Sequence, residues 1–400
     1  VGGNLFETGA TVTISWAAVT GASRYNVYKL QGGLYGYIGQ TTGLSIVDDN
    51  ISPDLGKTPP LYDSVFGGAG DYPGAVSYFE QRRCFAGTTN KPQNIWMTKS
   101  GTESNMSYSL PIRDDDRIAF RVAAREANTI RHIVPLTQLL LLTSSAEWRV
   151  TSVNSDAITP STISVRPQSY VGSSNVQPVI INNTLIYGAA RGGHVRDLAY
   201  NWQARGFITG DLSLRAPHLF DTFDIVDMAY AKAPQPMVWF VSTSGRLLGL
   251  TYVPEQQVGA WHWHDTDGVF ESCAVVAEGR EDVLYCVVRR TINGASVRYV
   301  ERMASRQFSD QADAFFVDCG ATYSGAPADV ISGLGHLEGK TVSILADGAV
   351  HPQRVVTGGS ITLDIEASTV QIGLPIEADL QTLPLAVQLQ DGSFGQGRFK

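Results

Sequence analysis

A chain of 400 residues with 43% hydrophobic and 17% charged residues has room for two or three domains, or one large repeat array, and can bury a substantial core. Its formal net charge of −8, from 38 acidic and 30 basic residues, argues against a surface that grips nucleic acid, because phosphate binding needs clustered Lys and Arg. Forty glycines and 18 prolines against so few charges favour short strands and tight turns over helices.

The chain opens on short alternating runs. "TVTISWAAV" (Thr11 to Val19), "RYNVYKL" (Arg24 to Leu30), "YGYIGQT" and "LSIVDD" alternate at period two between glycine turns, the pattern of a half-buried antiparallel sheet. Trp16 and Tyr25, in "SW" followed by "Y-x-V-Y", resemble the core pair of fibronectin type III modules over about half of such a module. The proline-rich Ser52 to Pro60 reads as a linker. From Tyr72 to Met303 one strand–turn–strand phrase recurs. Taking Cys84, Leu139, Leu185, Val238 and Leu284 as equivalent strand centres, the steps are about 55, 46, 53 and 46 residues, a period that suits propeller blades. A β-sandwich with irregular loops is the competing fold. Within this region "IVPLTQLLLL" (Ile133 to Leu142) reads as a buried strand, far short of the ~20 apolar residues of a membrane span. The pairs Arg82–Arg83 and Arg289–Arg290 read as solvated strand edges. "GKTVSILADGAV", "GGSITLDI" and "STVQIGLPI" then predict a small antiparallel domain. The expected architecture is all-β: an incomplete fibronectin-like module over 1–52, a β-propeller over 53–322 and a C-terminal β domain over 323–400.

Chemistry is sparse. Cys84, Cys273, Cys286 and Cys319 are scattered without C-x-x-C spacing, and are read as buried, reduced thiols. In "WHWHD" (Trp261 to Asp265), His262 and His264 share one face of a strand and could offer two ligands to a metal, but no motif marks a third. A strand with both Trp rings packed inward explains the same letters. "RDDDR" (Arg113 to Arg117) lacks the glycine and distal Glu of a calcium loop and reads as a solvated turn. "AGTTNK" lacks the glycine spacing of a phosphate loop, and "ARGGHVRD" sets His194 near Asp197 in an ordinary turn. A glycosidase needs two carboxylates flanking a sugar. Glu147, Asp211, Asp224 and Glu271 are available, but the sequence does not place any two face to face. The expectation is therefore no catalytic residue, no cofactor and no bound metal.

Several long phrases resemble one family, the tail nozzle proteins of short-tailed bacteriophages, often called tail tubular protein B. They are "YPGAVSYFEQRRCFAGTTNKPQNIWMTKSG", "IRHIVPLTQLLLLTSSAEWRV", "TPSTISVRPQSYVGSSNVQPV", "ARGGHVRDLAYN" and "LEGKTVSILADGAV…QIGLPIEADLQTLP", together spanning Tyr72 to about Pro384. The resemblance implies a structural virion protein assembled in the host cytoplasm. It would form a ring of six subunits below the portal and adaptor, meet the head–tail adaptor and tail fibre or spike proteins, and pass genomic DNA through its channel without tight binding. The family's usual N-terminal segment precedes anything seen here. Val1 and the closing "DGSFGQGRFK" both read as cut ends of a longer polypeptide. The acidic balance suits a conduit that must not retain DNA. The competing class is a sugar-binding propeller, a receptor-recognition or adhesion protein or a glycosidase, with Trp202, Trp239, Trp261 or Trp263 as stacking platforms.

Overall fold

In a computed structural model of the protein, residues 9–256, 258–380, 386–388 and 394–396 are described, and helix among them is confined to single 3-10 turns. Val1, residues 397–400 and Gln381 to Pro384 of the last resemblance phrase lie outside the described residues. The chain divides into two compact units: residues 1–230, 242–244 and 253–261 in one, and 231–241, 245–252 and 262–400 in the other.

The opening module has four strands, β1 (Val12–Ser15), β2 (Tyr25–Gln31), β3 (Leu34–Thr41) and β4 (Ser45–Asp48). β1 pairs with β4 and β2 with β3, all antiparallel. The Trp16 and Tyr25 rings meet at 5.4 Å between centroids. Lys29 bridges the module by reaching the buried Asp48 at 2.9 Å.

Five antiparallel sheets follow in simple up-and-down order. The first holds β5 (Pro73–Phe79), β6 (Arg82–Thr88), β7 (Asn94–Met97) and β8 (Ile118–Arg121). The second holds β9 (Ile130–Pro135), β10 (Leu139–Thr143), β11 (Glu147–Ser152) and β12 (Ile163–Ser169). The third holds β13 (Val179–Ile181), β14 (Thr184–Gly188), β15 (Val195–Asn201) and β16 (Gly206–Asp211). The fourth holds β17 (Ile225–Ala231), β18 (Met237–Ser242), β19 (Leu247–Val253) and β20 (Val258–His264). The fifth has three strands, β21 (Val269–Glu278), β22 (Glu281–Ile292) and β23 (Ala295–Arg302). A repeated four-strand meander is the blade of a propeller. Cys84, Leu139, Leu185, Val238 and Leu284 fall on β6, β10, β14, β18 and β22, the second strand of each blade, so the sequence period is the blade period.

The run Ile133 to Leu142 is not one strand but the β9–β10 hairpin, turning at 136–138. Four consecutive leucines tolerate this because both faces of β10 are covered. Leu139 and Leu141 enter the core shared by the first two blades, with Ile95, Met97 and Trp148. Leu140 and Leu142 enter the opposite core, with Leu185, Tyr187 and Leu198 of the third blade. A strand buried on both faces reads as a continuous apolar run rather than an alternating one.

The arginine pairs also differ from expectation. In a strand, neighbouring side chains point to opposite faces, so each pair splits. Arg82 and Arg290 are buried, while Arg83 and Arg289 reach solvent-exposed carboxylates or the surface. Arg82 donates to the carbonyl oxygens of Thr98, Asp116 and Asp114 at 2.6–2.8 Å, and burial holds its guanidinium below its usual range. Arg290 donates to both carboxylate oxygens of Glu301 and to the Asp267 carbonyl. The "RDDDR" turn is likewise not simply solvated. Asp116 is buried and accepts from the Ser109 and Arg113 amides at 2.8 and 2.9 Å, so it organises the loop from within.

The β5–β6 turn is Glu80–Gln81, and both residues have positive φ, 44° and 60°. Such a turn favours Asn or Gly. Here Glu80 is engaged from outside the hairpin: its Oε2 accepts from the Ile158 amide of the second blade at 2.7 Å.

The last sheet has the order β24 (Asp318–Ser332), β27 (Ser360–Leu374), β25 (Thr341–Ala346), β26 (Ala349–Val355). The sequence boundary drawn at 322/323 falls inside β24. Val342, Ile344, Val370 and Ile372 form its core. Both edge strands carry a proline, Pro327 and Pro352, which removes a ladder donor from each rim. A short hairpin of β28 (Ala386–Gln388) and β29 (Phe394–Gln396) lies beyond it in sequence.

Candidate functional site

The four tryptophans proposed as sugar platforms occupy different environments and do not form one surface. Trp202, in the β15–β16 turn, is 83% exposed. Trp239 on β18 is 4% exposed, so no ring face is open to a ligand. Trp261 is half-buried, donates its indole N–H to the Leu212 carbonyl at 2.8 Å and packs edge-on against Phe220. Trp263 is 43% exposed and stacks under the Arg246 guanidinium, 4.0 Å from the ring centroid.

In "WHWHD" burial does not follow one face: Trp261 and His262 are half-buried, while Trp263 and His264 are exposed. His262 and His264 do share a face of β20, with ring centroids 5.0 Å apart, and both rings lie against Trp239 at 5.5 and 5.6 Å. β19 makes room for them with Gly249: a Cβ there would stand 1.9 Å from His262 Cε1. Desolvation, helped by the neighbouring His264 and Arg306, pushes the His262 imidazole down to about 4. His264 is also lowered, by desolvation first and by Arg306 second. Both shifts favour the neutral imidazole, although His264 keeps contact with solvent. Among the described residues no group of three His, Cys, Asp or Glu is placed to hold a metal ion.

The four carboxylates lie in separate environments. Glu147 is buried on β11, and neither oxygen makes a hydrogen bond of good geometry, although the Ser169 and Tyr187 hydroxyls and the Val171 and Gly172 amides surround it. Desolvation raises its carboxyl above the usual range. Asp211 Oδ2 lies 2.9 Å from His194 Nδ1, and Asp221 stands 3.6 Å from Nε2 of the same ring. The sequence neighbour Asp197 instead accepts from the Gly210 amide at 2.7 Å. Glu271 is held between Arg289 and Arg298 on the fifth blade. Asp224 lines an open polar cleft of about 220 Å³, together with Arg131, Ser174, Asn175 and the backbone of Gly188 to Ala190. Arg131 also donates to the Ser173 carbonyl, which ties one wall of the cleft to β9. Sequence reasoning missed this cleft because its walls come from the ends of β9, β14 and β17 and from the β12–β13 connection, with no local motif.

No family model matches the chain, and no curated protein matches it. Among solved structures it is similar to a luciferin-regenerating enzyme, at 9% identity and a TM-score of 0.31, over 75% of this chain and 90% of that one.

Proposed function

We propose that this chain is the nozzle-type structural component of a short-tailed phage tail, working in the virion as a closed homomeric ring through which the genome passes. The observation that carries this reading is the set of long phrases from Tyr72 onward that resemble the nozzle family, four of them on the first three propeller blades and the last on the C-terminal sheet. Six subunits, contacts to a head–tail adaptor and to fibre or spike proteins, and a non-enzymatic role follow from that resemblance. Charge supports it: with 38 acidic against 30 basic residues, a channel wall can stay neutral to acidic and let DNA slide without releasing counterions at every phosphate. So do two of the four carboxylates, since Glu147 is sealed in a core and Glu271 is neutralised by two arginines.

A ring needs a heterologous interface, in which one patch meets a different patch on the next copy. The test is the oligomeric state of the intact protein, alone and with purified adaptor, by negative-stain imaging and mass measurement. Six-fold rings are expected; a protein that stays monomeric beside its adaptor refutes the reading. A gel shift with duplex DNA at about 50 mM salt, where electrostatic binding is strongest, is expected to show no retention. A sugar-binding role draws on the exposed Trp202 and on the Trp263–Arg246 stack. Glycan-dependent protection of those indoles with no ring formed would favour it.

A further inference from the structure

We propose that Cys273 and Cys286 are a cross-strand dithiol on the fifth blade that closes to an intrachain disulfide under oxidising conditions. The two are direct partners in the β21–β22 register. The parity of the hairpin fixes what kind of pair they form. Its turn is Gly279–Arg280, closed by Glu278 opposite Glu281. A two-residue loop closes on a hydrogen-bonded pair, and hydrogen-bonded and non-hydrogen-bonded pairs then alternate along the ladder. Stepping from 278/281 through 277/282, 276/283, 275/284 and 274/285 makes 273/286 a non-hydrogen-bonded pair. In such pairs the Cα atoms are about 4.5 Å apart and the side chains stand closest. A disulfide spans Cα separations of about 4.4–6.8 Å, so no backbone shift is required.

The other two cysteines provide a contrast within the same chain. Cys84 faces Ser77 and Met97, not a second thiol, and is fully buried. Cys319 stands in the register break of β24 between Asp318 and Ala321 and likewise faces no second thiol. Cys273 and Cys286 are themselves buried, at 8% and 6% accessibility, so reaction requires the hairpin to open locally. β21 is an edge strand of its three-stranded sheet, so local fraying uncovers both sulfurs without loss of the β22–β23 pairing.

The oxidant is a small-molecule disulfide. One cysteine thiolate attacks a sulfur of that disulfide, breaks its S–S bond and expels one small thiol. The second cysteine then attacks the mixed disulfide, forms the Cys273–Cys286 bond and expels the second small thiol. The two protons lost by the cysteines end on the two expelled thiols; the protein is oxidised by two electrons and the small disulfide is reduced. Made in a reducing compartment, the chain carries a dithiol; moved to an oxidising medium, the hairpin is stapled. This inference rests on the register of the pair and is independent of the nozzle reading.

To test it, the 400-residue protein is incubated with oxidised glutathione, then unfolded for thiol counting, intact mass measurement and peptide mapping. The expected result is a fall from four thiols to two, loss of two hydrogens in mass, a crosslinked peptide joining Cys273 to Cys286, and full reversal by dithiothreitol. The Cys84→Ser/Cys319→Ser variant should lose both remaining thiols in the same treatment. The idea is overturned if all four thiols survive, if the loss maps to Cys84 or Cys319, if the link joins two chains, or if only glutathione adducts form.

Discussion

Replacing Glu147 by Gln should stabilise the protein at alkaline pH and flatten its dependence on pH. The side chain is fully buried, so ionising it places a desolvated charge in the core between the second and third blades, which the surrounding Ser169 and Tyr187 hydroxyls and Val171 and Gly172 amides offset only in part. Its carboxyl is accordingly raised above the ordinary 4.5. The sign follows from linkage. The folded state holds this proton more tightly than the unfolded chain, so the associated stability is fully present below the unfolded value and is lost as pH rises through the folded one. One proton contributes a slope of at most about 1.4 kcal/mol per pH unit within that window. Gln has no proton to lose and nearly the same shape. Because the surrounding donors already offset part of the desolvation, a gain of about 1 kcal/mol is expected once Glu147 would be ionised. Urea unfolding over a pH series reads this directly, with tryptophan fluorescence as probe, since Trp148 is adjacent and buried. Near the unfolded value the two proteins should converge. A variant that loses stability with rising pH as steeply as its parent, or is less stable in alkali, would refute the reasoning.

Three further outcomes follow from the same packing. Arg290→Met should cost about 3–5 kcal/mol by leaving Glu301 without its bidentate partner, and Arg290→Met with Glu301→Met should recover most of that in the same urea assay. His262 is depressed to about 4, so its contribution is present above the ordinary 6.5 and is lost as pH falls through about 4. His262→Leu should therefore flatten the acid limb of a melting-temperature profile, and an unchanged limb would show that other groups govern it. Gly249→Ala should drive the His262 ring off Trp239, visible as a His262 titration shifted towards its ordinary value by NMR, because the new Cβ would overlap the imidazole.

The period of the blades was readable because apolar second strands such as "MVWFVS" and "LLLLT" stand out from glycine-rich turns. The paired arginines were not, since alternation settles which of two adjacent residues goes inward only once the strand's register is known. Asp116 was hidden for a related reason: whether a charged turn is solvated depends on partners such as Ser109 and Lys99, which lie seven and 17 residues away. In "WHWHD" the sequence placed two histidines on one face correctly. Hydrophobicity then turned both tryptophans inward, whereas only Trp261 is half-buried: the space above Gly249 admits the His262 imidazole, and Trp263 lies outside under Arg246.

The Glu80–Gln81 turn makes the first blade dependent on its successor. Two non-glycine residues held at positive φ cost about 1 kcal/mol or more each, and the carboxylate that compensates finds its donor, Ile158, 78 residues further along the chain. An Asn-Gly hairpin at this place would be content by itself and could form as soon as its strands existed. With this turn, the leading hairpin is only fully settled when the second blade has closed around Ile158. In a linear array whose members interact only with adjacent ones, such a clasp raises the coupling between units relative to their intrinsic stability, and melting shifts from piecemeal fraying towards a single concerted step.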